Sequence, residues 1–298
     1  MSSRFATVVI GGGTGFIGNR LKNAFAAISS KVVIVSRNAT KDRMSWTDIS
    51  KHGIPENTEV VVNVAGLNVL NPMQRWSSDF KTNVILSRVE TTKILADAIS
   101  KCNSPPKVFI TISGVNYYQP DGKEYTEYDR VPVFDFFSRL CKDWEEAGNL
   151  PEQIKTRRVI IRSGVVLGNE SGMIATMRLP FFAGLGGIVG SGKQFMPWIH
   201  VEDLTRMFLF AASNEKVKGV LNGVSPQIIT NSEFTKALGK AMNRPTLIPL
   251  PEFAVKLVFG NERSDMILKG AKVKPKRVLD LGFEYKYEKI EDACKQLV

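Results

Sequence analysis

Histidine and cysteine are scarce in this chain of 298 residues. There are two histidines, His52 and His200, and three cysteines, Cys102, Cys141 and Cys294. Two histidines leave a dedicated transition-metal site short of ligands, so no metal is expected. Three widely spaced cysteines match no zinc or redox spacing, and an odd count argues against a disulfide framework. A reducing compartment fits that pattern. Long apolar runs are also missing. None approaches the roughly 20 residues of a membrane-spanning helix, so no membrane partner is expected. The opening "MSSRFATVVIGGG" enters a strand almost at once, which argues against a signal peptide. The expected location is cytoplasmic, with the mitochondrial matrix as the alternative.

Positive charge is plentiful, with a formal net charge of +11. A basic surface favours anionic partners such as nucleotides or phosphorylated small molecules. The one dense cluster, "KGAKVKPKR" at 269–277, comes with no nucleic-acid signature. It reads as a solvated face, and no nucleic acid is expected.

Short β-branched runs alternate with helical periodicity. "ATVVIGG", "KVVIVSR", "TEVVVNVAG", "KVFITISG" and "RRVIIRSGVVLG" read as buried strands. "FIGNRLKNAFAAIS", "FDFFSRLCKDWEEA" and one long segment, "SSDFKTNVILSRVETTKILADAISK", read as the helices between them. Strands apolar on both faces and separated by helices imply an α/β fold with a doubly wound parallel sheet. After residue 168 the pattern changes. "LPFFAGLGGIVGSGKQFMPW" reads as irregular, its first part "LPFFAGLGG" as the wall of a substrate pocket, and Asn231-Ser232 reads as a helix cap. Residues 1–168, with 198–225 returning to them, form the expected nucleotide-binding domain. Residues 169–197 and 226–298 form a smaller, interleaved substrate domain.

The strongest local signal is "VVIGGGTGFIGNRL". It places Gly13-x-Gly15-x-x-Gly18, together with Gly12, between a strand and a helix. Glycine allows the tight turn and lets backbone approach a pyrophosphate, whose charge then faces the helix N-terminus. An NAD site has an acidic residue about 20 positions further on, to hold the ribose 2′-hydroxyl. Here Ser36 and Arg37 stand there, with Lys41 and Arg43 just beyond. A hydroxyl and a guanidinium suit a 2′-phosphate, so NADP is the expected cofactor.

These motifs, with "NVAGLN", "SRVETT", "YYQP", "IRSGVVLG" and "GLGGIVGSGKQFMPWIHVEDL", resemble the extended short-chain dehydrogenase/reductases. Within that group they are most similar to the epimerase-family branch, family 39U. The resemblance runs over nearly the whole chain. It implies a Rossmann fold and an NADP-dependent oxidoreductase activity. It places Gly12, Thr14, Gly15, Phe16, Ile17 and Gly18 around the pyrophosphate and Ser36 and Arg37 on the adenosine phosphate. Val64, Ala65 and Gly66 would pass under the adenosine. Asn83 and Arg88 would approach the cofactor, and Val165 would lie near the nicotinamide. The alternative for Arg88 is a salt bridge with Glu90 or Glu127. A homodimer is expected by family analogy alone.

The same resemblance exposes a departure. The superfamily uses a strand-end hydroxyl and a Tyr-x-x-x-Lys pair, in which the lysine charge lowers the tyrosine pKa. Ser113 answers to the hydroxyl. In register, Phe137 falls on the tyrosine and Cys141 on the lysine, and neither can do that chemistry. Lys142 points about 100° away around the helix. Three readings follow. One is an NADP(H)-dependent enzyme acting on a small carbonyl or hydroxyl substrate with a displaced acid/base, for which Tyr117 is the candidate. The others are a non-catalytic NADP(H) sensor or scaffold, and a hydride-transfer enzyme needing little proton assistance.

Overall fold

The computed structural model describes residues 4–170 and 172–298. The chain opens with β1 (Phe5–Gly11), α1 (Phe16–Ala26), β2 (Ser29–Ser36), β3 (Arg43–Ser45), α2 (Trp46–His52) and β4 (Thr58–Asn63). Two helices follow, α3 (Ser78–Leu86) and α4 (Val89–Ser100), then β5 (Val108–Gly114). A 3₁₀ turn at Val115–Tyr117 leads to β6 (Glu124–Tyr125), α5 (Phe136–Glu146), β7 (Arg157–Ser163) and β8 (Val165–Leu167). Beyond these come α6 (Met173–Phe182), β9 (Trp198–His200), α7 (Val201–Ser213), β10 (Gly219–Gly223) and α8 (Asn231–Ala241). The chain finishes with α9 (Glu252–Leu268), β11 (Lys272–Val273), α10 (Lys276–Asp280) and α11 (Ile290–Leu297).

Seven strands form one sheet in the order β10-β7-β5-β4-β1-β2-β3. Every pair in it is parallel. Its strands alternate between two cores, as the two-residue side-chain period requires. Val8, Ile10, Val60, Val62 and Ile110 pack in the core with Leu21 of α1 and Phe208 of α7. Val9, Val61 and Phe109 pack in the opposite core with Ile49 of α2 and Leu95 and Ile99 of α4. The strand order reverses between β1 and β4, and ligands bind outside the carboxyl ends of strands at such a point. A further core gathers Leu167, Trp198, Phe234, Leu238, Ile290 and Leu297. Among the described residues, no helix is long and apolar enough to cross a membrane.

The structure corrects several sequence expectations. The long helix is two helices, α3 ending at Leu86 and α4 beginning at Val89, with Arg88 stretched to φ −112° between them. The break is tied down: Ser87 Oγ donates to Val84 O and accepts from Leu67 N at 3.1 Å. "RRVIIRSGVVLG" is two strands. At Gly164 the chain leaves the main sheet, and β8 pairs with β9 in a sheet of its own. A Cβ on Gly164 would lie 2.5 Å from Pro197 O, so this crossing requires glycine. Part of the segment expected to be irregular forms α6, which carries Pro180. The cap of α8 is Thr230, in a reciprocal capping box with Glu233, in place of Asn231-Ser232.

His200 caps α7 and ties it to the C-terminal helix. Its Nδ1 accepts from Glu202 N at 3.2 Å, which places the ring proton on Nε2, 2.8 Å from Gln296 Oε1. Burial lowers its pKa, against the pull of the Gln296 hydrogen bond, Asp203 and Glu202. The unfolded chain therefore takes up the proton first, near the ordinary value of 6.5. Stability is expected to fall as pH drops below that value and to level off once the folded ring also titrates. Melting temperatures at about pH 7.5 and 5.5 check this, and His200→Gln should show a smaller drop than the parent protein.

Candidate functional site

The loop from β1 into α1 is built by close approaches. Gly12 has φ +75°, and a Cβ there would lie 2.7 Å from the Ala65 backbone. A Cβ on Gly18 would fall 2.2 Å from Gly12 O, and one on Gly13 would lie 2.4 Å from Ile34 Cδ1. Gly15 differs: its nearest neighbour would be 3.5 Å away, so this side of the loop is open. Gly15 is also the N-cap of α1 and offers no side-chain cap, so the amides of the first turn have no intrahelical partner. Donors at an open helix N-terminus fit a pyrophosphate.

The neighbouring loop elements complete this rim. Thr14 is exposed, and the Phe16 ring lies over Gly168, where a Cβ would come 2.3 Å from Cζ. Val64 N donates to Gly11 O at 2.9 Å, and Asn63 Oδ1 accepts from Ala65 N at 3.1 Å. Gly66 follows and is exposed. At the end of β2 the buried Ser36 hydroxyl donates to Asn38 O at 2.8 Å and keeps its acceptor lone pairs. Arg37, Lys41 and Arg43 beside it are exposed. Three cations and no strand-end carboxylate suit a ribose phosphate.

A cleft of about 370 Å³ runs from the first turn of α1 along the ends of β5 and β7. Its walls are mainly apolar: Ile17, Leu67, Leu70, Phe137, Leu140 and Met266 line it. The capping box of Asp135 and Ser138 starts α5 and sets its rotation. That rotation puts Phe137, Leu140, Cys141 and Trp144 on the cleft side, while Lys142 is exposed and 3.9 Å from Glu146. Ser113 lines the cleft, is 4% exposed, and its Oγ makes no well-formed hydrogen bond, with the Cys141 thiol beside it. The Cys141 thiol donates to Gly114 O at 3.5 Å. Burial, aided by the Glu145 carboxylate, pushes this thiol up to about 12, so it stays protonated.

The structure places other expected residues elsewhere. Tyr117 does not line the cleft. The 3₁₀ turn after β5 sets its ring 3.3 Å from the Arg162 guanidinium, and its hydroxyl accepts from Val131 N at 3.4 Å. Tyr118 is buried, donating to Asn222 Oδ1 at 2.9 Å and accepting from Arg162 Nη1 at 3.0 Å. Burial raises its pKa to about 12 against the charge of Arg162. Val165 packs on the second core, the one around Trp198 and Phe234, and Val166, on the opposite strand face, lines the cleft. Asn83 is exposed on α3 and is not a lining residue. Arg88 lines the cleft and forms no ion pair with Glu90 or Glu127 among the described contacts. Glu127 accepts instead from the backbone amides of Asn222 and Arg277, each at 3.0 Å. Residues 179–187, expected to form a wall, do not line this cleft; Met266 of α9 and the loop after β4 do. Met266 lies far along the chain in a helix with no local sequence signal for the site. A larger hollow of about 660 Å³ lies between the C-terminal turns of α2 and α4, away from the carboxyl ends of the strands.

Comparison with known proteins agrees with this fold. The model of the NAD dependent epimerase/dehydratase family matches residues 8–222, and that of a domain of unknown function (DUF1731) matches residues 250–297. The epimerase family protein SDR39U1 of Bos taurus is 46% identical over 98% of this chain and 99% of its own. The epimerase family protein SAR0825 of Staphylococcus aureus is 35% identical over 97% and 98%. A crystal structure of human SDR39U1 with NADPH superposes with a TM-score of 0.95 at 45% identity, covering 98% of each chain. UDP-N-acetylglucosamine 4-epimerase of Bacillus cereus shares the fold at 17% identity and a TM-score of 0.75. The chain belongs to the NAD dependent epimerase/dehydratase family, in the epimerase-family branch that includes SDR39U1.

Proposed function

We propose that the protein binds NADP(H) across the β1–β4 crevice and passes hydride between its nicotinamide and a small, largely apolar carbonyl compound. The observation that carries this is the buried Ser113 hydroxyl, which makes no well-formed hydrogen bond at the cleft end of β5 among apolar walls. Such a buried hydroxyl is costly unless a ligand completes it. The NADPH bound to the human relative supports the choice of cofactor. When bound, NADPH supplies the hydride.

The side chains do the remaining work. The glycine loop and the first turn of α1 hold the diphosphate, and Ser36 and Arg37 hold the 2′-phosphate. Ser113 donates a hydrogen bond to the substrate oxygen and orients the carbonyl. Phe137, Leu140 and Met266 exclude water from one side. No tyrosine lines the cleft, and Cys141 holds its proton too tightly to give it up near neutral pH. The proton of the product alcohol therefore comes from solvent. Cofactor binding without turnover is the second reading, favoured by the position of Tyr117 outside the cleft.

Fluorescence titration with NADPH and NADH, followed by NADPH oxidation across a panel of small apolar aldehydes and ketones, tests the proposal. NADPH is expected to bind more tightly than NADH. Arg37→Glu should lower NADPH affinity by on the order of 10-fold or more and spare NADH. Equal affinities for the two cofactors would remove the 2′-phosphate assignment. Tight NADPH binding with no oxidation across the panel would leave only the second reading.

A further inference from the structure

The large apolar side chains that face solvent are not scattered. Leu179 and Phe182 of α6, Leu247 and Ile248 of the segment before α9, and Phe253 and Leu257 of α9 are each 50% to 84% exposed. Contacts between these segments join them into one surface. Arg244 Nε donates to Phe182 O at 2.8 Å, and Leu250 N donates to Ile188 O at 2.8 Å. Ile248 O packs so close to Gly187 that a Cβ there would lie 1.8 Å from it. Helix α9 begins just beyond, at Glu252, and is broken at Gly260, where φ is +74°. Its second half is docked: Arg263 and Ser264 are buried, and Met266 lines the cleft. Its first half buries only Val255 and leaves Phe253 and Leu257 in water. Lone exposed leucines are ordinary, but adjoining ones that exceed roughly a few hundred Å² mark a surface that meets something.

Charge decides what it meets. Across residues 173–189 and 243–259 the sequence has three cations, Arg178, Arg244 and Lys256, and one acid, Glu252. Glu252 is taken up by Lys256 at 2.6 Å. Arg244 lies 4.8 Å from the Phe182 ring centroid and has only the neutral acceptors Phe182 O and Asn243 O. Arg178 is exposed beside Leu179. A two-fold contact between copies would put Arg178 and Arg244 of both chains at one interface, between molecules of net charge +11 each. An anionic lipid surface does the reverse. It neutralises these cations and takes up the apolar side chains between them. A spanning helix is not needed for that, because a surface anchor only sinks side chains past the headgroups.

We propose that this ridge, formed by α6, the segment before α9 and the first half of α9, docks the protein on an anionic lipid surface. Phe253, Leu257, Leu179 and Leu247 enter the headgroup boundary, and Arg178 and Arg244 meet lipid phosphates. The docking is independent of the reaction proposed above, so either can fail without the other.

The test is flotation of the purified protein with vesicles of phosphatidylcholine alone and of phosphatidylcholine with about one-third phosphatidylserine. The parent is expected to float with the anionic vesicles and to stay behind with the neutral ones. Phe253→Gln combined with Leu257→Gln removes apolar contact without changing the net charge. Both positions are exposed, so the melting temperature should hold while the vesicle-bound fraction falls by on the order of 10-fold. Leu179→Gln combined with Leu247→Gln, on the other two segments, should do the same, and it decides if the first pair fails to fold. A parent that ignores the anionic vesicles, or binds the neutral ones equally well, overturns the proposal. So does full binding in the paired variants, since net charge alone would then hold the protein. A dimer in sedimentation that the same substitutions dissociate gives the ridge to a second copy and overturns it too.

Discussion

Replacing Gly18 with alanine is expected to cost the protein its nucleotide site. The added Cβ would sit 2.2 Å from Gly12 O and 2.6 Å from Gly13 Cα. Both are backbone atoms of the same loop, so no side chain can swing aside to make room. Either α1 backs away from β1 or the loop opens, and each displaces the first-turn amides proposed to hold the pyrophosphate. NADPH affinity should fall by on the order of 100-fold or more, since a single overpacked position costs about 1–3 kcal/mol before any contacts to the diphosphate are lost. Gly15→Ala separates the two contributions. Its Cβ meets nothing closer than 3.5 Å, so the melting temperature should barely move while NADPH binding still falls. Titration and thermal melting of both variants check this. Full NADPH affinity in Gly18→Ala would mean that the loop does not hold the diphosphate.

Glu145→Ala is expected to produce the largest loss of stability. Glu145 and Arg162 form a two-pronged pair, with both contacts at 2.8 Å, and their side chains are only 11% and 5% exposed. Burial alone would lower the Arg162 pKa, and the Glu145 carboxylate more than reverses this. Removing the carboxylate strands a buried guanidinium, a change that costs about 3–5 kcal/mol. For a chain of this size the melting temperature should fall by on the order of 10 °C. The damage spreads, because Arg162 also holds the Tyr118 hydroxyl and lies against the Tyr117 ring. Adding Arg162→Met removes the stranded charge, so the double variant should recover much of the loss. A single variant that melts with the parent would show that the pair is not structural.

Features encoded within one short window could be read in advance. The run from β1 through Gly18 into α1 is strand, turn and helix in uninterrupted order, and Gly12 and Gly18 are needed for close backbone approaches. The register of α5 was legible too, because a helix with i, i+4 spacing puts Phe137 and Cys141 on one face, and both line the cleft. Features set by distant contacts were not legible. The apolar periodicity runs unbroken through Ser87 and Arg88, and the break there comes from Leu67, twenty residues earlier. β6 and β11 have two residues each and exist only because they pair with one another. Tyr117 is four residues from Ser113 in sequence, yet a single 3₁₀ turn carries it to Arg162. Val165 and Val166 look alike in sequence, and only the strand's pairing with β9 decides which one faces the cleft.

The crossing at Gly164 bears on how the chain can be divided. The second core takes Leu167 from the strand that follows β7, and the main sheet takes its edge strand β10 from residues 219–223. Val278 and Phe283, later still, pack in the main core. A cut between residues 168 and 218 would part the main sheet from β10 and part the second core from Leu167. Neither fragment would hold all that it needs to fold. The molecule is in this sense indivisible: its cores are woven from one thread, and a newly made chain has to emerge past Phe283 before the main core has all of its parts.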